Sequence, residues 1–130
     1  MNKTNVALYF ITHEGIASPL LKIAGDILKK TLDNTAYIEI KMDANIEQSI
    51  ANASTAIEQL DKQKGLLICT DLYGSTPSNI AQKLTDHFPS NFISGINLPM
   101  LLRLLNYQHN DLPILTEKAL DGGRQGIQQH

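Results

Sequence analysis

The chain has 130 residues and carries 11 Lys and Arg against 13 Asp and Glu, a formal net charge of -2. This length is typical of one domain with one hydrophobic core, so we expect a single domain over residues 1–130. The nearly balanced charge provides no strong positive field to attract phosphates, which argues against nucleic acid as a partner.

The first half of the chain alternates strand-like and helix-like segments. Residues 6–12 form a short, almost continuously apolar run, which is typical of a strand buried on both faces. Apolar residues at three- and four-residue spacing predict a helix over 18–32, with Ser18 as its N-cap. Residues 36–42 alternate apolar and polar side chains and predict a strand nearer the edge of the sheet. A second helix is predicted over 45–63, capped by its first residue.

The same alternation continues after the middle of the chain. Residues 66–70 predict a third buried strand, and a turn-rich stretch follows it. Thr76 is predicted to cap a helix over 77–87, because proline is favoured in the first helical turn. Residues 91–96 predict a fourth strand, and a leucine-rich helix begins at Pro99.

The C-terminal part is predicted to hold a helix over 113–120 and a tail, 124–130, that forms a short extra strand or a frayed end. Strands that alternate with helices through short connections favour a parallel sheet with helices on both faces. The predicted fold class is therefore α/β, a doubly wound sheet, and a strand order of 2-1-3-4 would open a crevice between strands one and three.

Two polar residues directly follow the two central strands of this predicted sheet. His13 ends the first strand and Asp71 follows the third, so the topology would bring them to the same edge. A carboxylate that accepts a hydrogen bond from one imidazole nitrogen leaves the other nitrogen unprotonated and more basic. His13 and Asp71 are therefore candidate catalytic residues, with His13 as nucleophile or base.

The turn after Asp71 is the candidate anion-binding element. Gly74, Ser75, Thr76 and Ser78 precede or begin a helix, where free backbone N–H groups and the helix dipole attract negative charge. Together with a histidine nucleophile, these neutral donors suit the three oxygens of a phosphoryl group. The sequence has neither an acidic cluster for magnesium nor a Walker A motif, so we expect no metal and no cofactor.

Each of these residues also has a simpler structural interpretation. His13 could be a packing residue at a strand end, Asp71 could cap its turn, and Thr76 is explained by helix capping alone. Cys69, inside an apolar strand, is expected to be a core residue and not a reactive thiol. The remaining histidines, in polar surroundings, are expected at the surface; these are His87, His109 and His130.

Three segments together resemble the mannose-family IIA component of the bacterial sugar phosphotransferase system. They are THEG at 12–15, TDLYGSTPSN at 70–79 and GINLPML at 95–101, and the similarity in order and spacing spans nearly the whole chain. The resemblance implies that His13 is phosphorylated by the phosphocarrier protein HPr and passes the group to a IIB component. It also places Asp71 on the aspartate that hydrogen-bonds the active histidine, and Thr76 on the hydroxyl residue of the phosphate-binding turn.

The resemblance further implies a homodimer in which a C-terminal strand, here within 124–130, is exchanged between subunits. This sequence departs from well-known members in having Tyr73, in place of tryptophan, and Gly74-Ser75, in place of paired glycines. It also stops without a linker to a IIB domain, so we expect IIB as a separate chain and contact with the membrane only indirectly, through IIC and IID. The sugar is not predicted, because a IIA component does not touch it.

Two other functions remain open at this level. If no IIB partner exists, the protein would be a regulator of an incomplete system, whose phosphorylation state controls a binding partner. A small hydrolase that uses Ser75 or Thr76 with His13 is disfavoured, because the sequence has no G-x-S-x-G elbow. A single cysteine and no apparent signal peptide favour a cytoplasmic location.

Overall fold

The computed structural model describes residues 4–130, in which parallel strands alternate with helices. The strands are β1 (Ala7–His13), β2 (Thr35–Ile40), β3 (Leu66–Thr70) and β4 (Asn91–Ser94). The helices are α1 (Ala17–Leu28), α2 (Ile46–Glu58), α3 (Thr76–His87), α4 (Leu98–Asn106) and α5 (Leu112–Gln125).

The strands form one sheet in the order β2-β1-β3-β4, and every adjacent pair is parallel. This confirms the predicted α/β class and the predicted 2-1-3-4 order. The two central strands, β1 and β3, are neighbours, and the chain leaves them toward opposite sides of the sheet. Residues that follow β1 and β3 therefore lie at the switch point of the topology, where a crevice is expected.

Side chains of β1 alternate between two hydrophobic layers. Leu8 and Phe10 belong to the layer that packs against α1, α4 and α5, while Tyr9 and Ile11 belong to the layer that packs against α2 and α3. Because strand side chains alternate with a period of two, Thr12 continues the first series and His13 the second. The histidine thus lies on the face covered by α2 and α3.

The predicted bounds of α1 are wrong at both ends. The helix begins at Ala17, so Ser18 lies inside its first turn, and the N-cap position is held by Ile16, whose side chain makes no capping hydrogen bond. The helix ends at Leu28 because Lys29 adopts a left-handed conformation with φ of 54°, where its N–H bonds to the carbonyl of Asp26. The apolar spacing that suggested a helix to residue 32 continues past this break.

The predicted end of the last helix is also wrong. The prediction ends this helix near residue 120, yet α5 continues to Gln125, and both Gly122 and Gly123 are buried within it. A Cβ atom at Gly122 would clash with the side chain of Arg103, and one at Gly123 would lie 3.0 Å from Met100 Cε. These glycines therefore let α5 approach α4 closely, which outweighs their low helix propensity.

Of the two alternatives predicted for residues 124–130, an extra strand or a frayed end, the strand is not formed within the chain. Residues 124–125 belong to α5, and residues 127–130 have no regular secondary structure. Exchange of this segment between two subunits stays a prediction.

The close approach of α4 and α5 gives a stability prediction. We expect Gly122→Val to lower the free energy of unfolding by about 1–3 kcal/mol, since the added side chain would have to displace Arg103 or push the helices apart. Denaturant unfolding of both proteins would measure the change. Asp121→Val, at the neighbouring exposed position, is the matched control for the helix propensity of valine; an equal effect at both positions would contradict a packing role for Gly122.

Candidate active site

His13 and Asp71 meet at the carboxyl edge of the sheet. One carboxylate oxygen of Asp71, Oδ2, lies 2.7 Å from Nδ1 of the His13 ring and also accepts the backbone N–H of His13 at 3.1 Å. The pairing of β1 with β3 ends at Ile11 and Thr70, and His13 and Asp71 come just after these two residues along the chain. The predicted pair is therefore brought together, and Nε2 is the ring nitrogen left available to a ligand.

The second carboxylate oxygen of Asp71 is also held in place. Oδ1 accepts the N–H of Leu72 at 3.0 Å and the hydroxyl of Thr70 at 3.4 Å. Partial burial by itself raises the pKa of Asp71, but the hydrogen bonds from the ring and backbone of His13 outweigh it and lower the pKa below its usual value. Asp71 is thus a carboxylate at neutral pH, which makes Nδ1 of His13 the protonated nitrogen.

A cleft of about 160 Å³ opens beside the histidine. The His13 side chain is 36% exposed, so its ring can reach this space while its other edge bonds to Asp71. The cleft lies between the end of β2 and the beginnings of α2 and α3. Its lining residues are His13, Ile40, Lys41, Met42, Ala44, Ile46, Thr76 and Pro77.

The four predicted phosphoryl-binding residues, in the turn before α3 and at the start of that helix, differ in whether they line the cleft. Thr76 is exposed and lines the cleft with His13, whereas Gly74, Ser75 and Ser78 do not line it. The hydroxyl of Ser75 donates to the carbonyl of Leu72 at 2.6 Å. Gly74, with φ of 88°, directs its N–H to the hydroxyl of Ser78 at 3.2 Å. These three residues thus shape the turn with bonds inside it.

The predicted cap of α3 is wrong by one position. Ser75, and not Thr76, is the N-cap, and its hydroxyl accepts the N–H of Ser78 at 3.4 Å. Thr76 is the first helical residue and Pro77 the second. As a result the backbone N–H of Thr76 makes no hydrogen bond to residues 4–130 and remains a donor at the positive end of the helix.

Two residues that sequence reasoning missed hold the loop after His13. The carboxylate of Glu39 accepts the N–H of Gly15 at 3.1 Å and that of Ser18 at 2.8 Å. The hydroxyl of Thr12 accepts the N–H of Ala17 at 3.1 Å. Because these bonds satisfy the first N–H groups of α1, the open helix terminus beside His13 is that of α3. A glutamate within an alternating strand gives no signal of this role.

Several side predictions concern residues outside the cleft. Cys69 is fully buried in β3, as expected of a core residue, and burial raises the pKa of its thiol. His87, His109 and His130 are exposed, also as expected.

The described part of the chain holds neither a cluster of metal ligands nor a helix that could span a membrane. Among residues 4–130, no three His, Cys, Asp or Glu side chains cluster as metal ligands would. None of the helices in this range combines the length and hydropathy needed to cross a bilayer.

Comparisons with known proteins identify one family. A family model described as "PTS system fructose IIA component" matches residues 8–119. The "PTS system mannose-specific EIIAB component" of Escherichia coli K12 is 30% identical over 127 residues, which cover 94% of this chain and 38% of that protein. The chain thus spans little more than a third of the length of this curated relative.

Solved structures with low sequence identity share the fold. The mannose/sorbose-specific IIA subunit from Enterococcus faecalis has a TM-score of 0.85 and 18% identity, covering 98% of this chain and 96% of that one. The phosphotransferase system component EIIA from Streptococcus agalactiae has a TM-score of 0.81 and 19% identity, covering 95% and 96%. The match of the family model to most of the sequence shows that the chain belongs to the mannose-type family of IIA components of the sugar phosphotransferase system.

Proposed function

We propose that this chain is a phosphocarrier that accepts a phosphoryl group from phospho-HPr on His13 and passes it to a IIB component. The observation that carries the proposal is the 2.7 Å contact between His13 Nδ1 and Asp71 Oδ2 at the mouth of an open cleft. Because Nδ1 donates a hydrogen bond to the carboxylate, Nε2 keeps a lone pair that faces away from Asp71. A histidine activated in this way is a nucleophile.

The transfer needs only the chain's own residues and the donor. Nε2 of His13 attacks the phosphorus of phospho-HPr, and the bond between phosphorus and the donor imidazole breaks with its electron pair returning to that imidazole. His13 becomes a phosphorylated imidazolium that keeps its Nδ1 proton, and the Asp71 carboxylate stabilises the new positive charge. In transfer to IIB, a nucleophile of that component attacks the phosphorus, and the bond to Nε2 breaks with its electron pair returning to the His13 ring.

The phosphoryl oxygens need donors on the other side of the cleft. We assign this role to the N–H and hydroxyl of Thr76, since the residue is exposed in the cleft at the positive end of α3. We propose that Gly74, Ser75 and Ser78 support this turn. The Gly74 N–H and the hydroxyls of the two serines already make hydrogen bonds within it. Stabilisation of the loose transition state would then rest on positioning and electrostatics.

Intact mass after incubation with enzyme I, HPr and phosphoenolpyruvate tests the proposal. We expect a gain of one phosphoryl group that is lost in acid, as a phosphoramidate should be, and no gain when enzyme I is omitted. A chain that gains no mass with a functional cognate HPr would contradict the proposal, and the cleft would then be a binding site for another anion.

Separate addition of a cognate IIB component tests the second half of the relay. Loss of the phosphoryl group from this chain to IIB would support transport, the function we favour from the family match. Acceptance from HPr without delivery to IIB would support the regulatory alternative, in which the phosphorylated form controls a binding partner.

A further inference from the structure

We propose that Lys41 contacts the phosphoryl group carried by His13, and that Glu14 competes with this group for the lysine ammonium. The inference rests on the proposed function, since it concerns the charged form of the same site. It adds a cationic residue that neither the sequence motifs nor the turn before α3 indicated.

Lys41 borders the cleft into which a phosphoryl group on His13 would project. It is the first residue after β2, and β2 pairs with β1 so that Ile40 lies opposite His13. Among residues 4–130, Lys41 is the one lysine or arginine that lines the cleft with His13 and Thr76. The cleft therefore has neutral donors from α3 on one side and a cation from the end of β2 on another.

Lys41 forms only a weak ion pair, with Glu14. Its Nζ lies 4.0 Å from Oε2 of Glu14, and the two side chains are 70% and 61% exposed. Exposed ion pairs at such a distance contribute little free energy. Glu14 is itself anchored beside the cleft, because its backbone N–H donates to the carbonyl of Ile40 at 3.2 Å.

Phosphorylation would change this balance of charge. A phosphoryl group brings a charge of about -1.5 to -2 and three acceptor oxygens, more than the single charge of the Glu14 carboxylate. A lysine ammonium on a flexible stem can turn toward the stronger anion with three donors. Lys41 would therefore exchange Glu14 for the phosphoryl oxygens and stabilise the phosphorylated form.

A lysine near an active site could instead help a partner protein to dock, and an equilibrium measurement separates the two roles. The equilibrium constant for transfer between free HPr and free IIA does not depend on how tightly the two proteins bind in passing. It depends only on how well each protein stabilises its own phosphoryl group. A docking residue changes the rate of transfer and leaves this constant unchanged.

The test compares Lys41→Gln, Glu14→Gln and the double variant at a fixed ratio of phospho-HPr to HPr. We expect Lys41→Gln to lower the transfer equilibrium constant about three- to tenfold, the size of one exposed charge-assisted contact. Glu14→Gln, which frees Lys41, should raise it by about twofold, and this rise should vanish in the Lys41→Gln background. Lys22→Gln is the matched control, because this exposed lysine pairs with Asp26 on α1.

Lys41→Arg should keep most of the native equilibrium constant, and added salt should reduce the difference between Lys41→Gln and native protein. An equilibrium constant for Lys41→Gln equal to the native value would overturn the inference, whether or not the rate of transfer changed. If the native chain itself accepted no phosphoryl group from HPr, the proposed function would fail instead, and the two failures are thus distinguishable.

Discussion

Replacement of His13 by alanine is expected to abolish phosphoryl acceptance completely. The proposed chemistry gives the group one point of attachment, Nε2 of this ring, since Nδ1 is bonded to Asp71. Intact mass after incubation with enzyme I, HPr and phosphoenolpyruvate would detect the loss. The matched controls are His87→Ala and His109→Ala, which remove exposed imidazoles far from the end of β1 and should leave the mass gain unchanged.

A partly exposed side chain at the end of a strand can be removed with little loss of stability, so the His13 result should not reflect unfolding. Thermal unfolding of His13→Ala would verify this. Retention of an acid-labile phosphoryl group by His13→Ala would show that another residue is the acceptor, and peptide mapping would then locate it.

Asp71→Asn is expected to lower the rate of phosphoryl acceptance about a hundredfold or more, as for other histidines that lose a buried carboxylate partner. In the native protein both carboxylate oxygens accept hydrogen bonds, Oδ2 from His13 and Oδ1 from Leu72. An amide has one oxygen and one NH₂ group, so in either orientation a donor would face a donor. The neutral amide would also fail to stabilise the imidazolium formed on transfer.

Single-turnover transfer from phospho-HPr would measure this rate, and the ¹⁵N shifts of the His13 ring would report its tautomer. Asp86→Asn, at an exposed position on α3, is the control for the loss of one negative charge. A native rate in Asp71→Asn would mean that the carboxylate only orders the turn, and the phosphocarrier role would then rest on His13 and Thr76 alone.

The fold and the central pair of the site were predictable because they depend on patterns local to each strand. Continuous apolar runs identified β1 and β3, and the rules of parallel topology then brought His13 and Asp71 together at one edge. No knowledge of side-chain packing was needed for either step. Their catalytic roles stay predictions until the two variants are measured.

The features that sequence reasoning missed depend on contacts between distant segments. Glu39 satisfies the N–H groups of Gly15 and Ser18 from a neighbouring strand, a role that an alternating pattern does not reveal. Gly122 lies inside a helix because α4 packs against it, whereas local propensity favours a helix end. Lys41 borders the cleft because of where β2 ends in the folded chain, which no local pattern around the lysine indicates.

The burial of Cys69 has a practical consequence for labelling. It is the chain's single cysteine, and maleimides react with an accessible thiolate, which this buried thiol does not provide. A cysteine introduced by Gln128→Cys, in the exposed tail, would thus be the one reactive position without any background substitution. A fluorophore or spin label attached there could follow the tail directly, and distance measurements between two labelled chains would show whether it crosses to a second subunit.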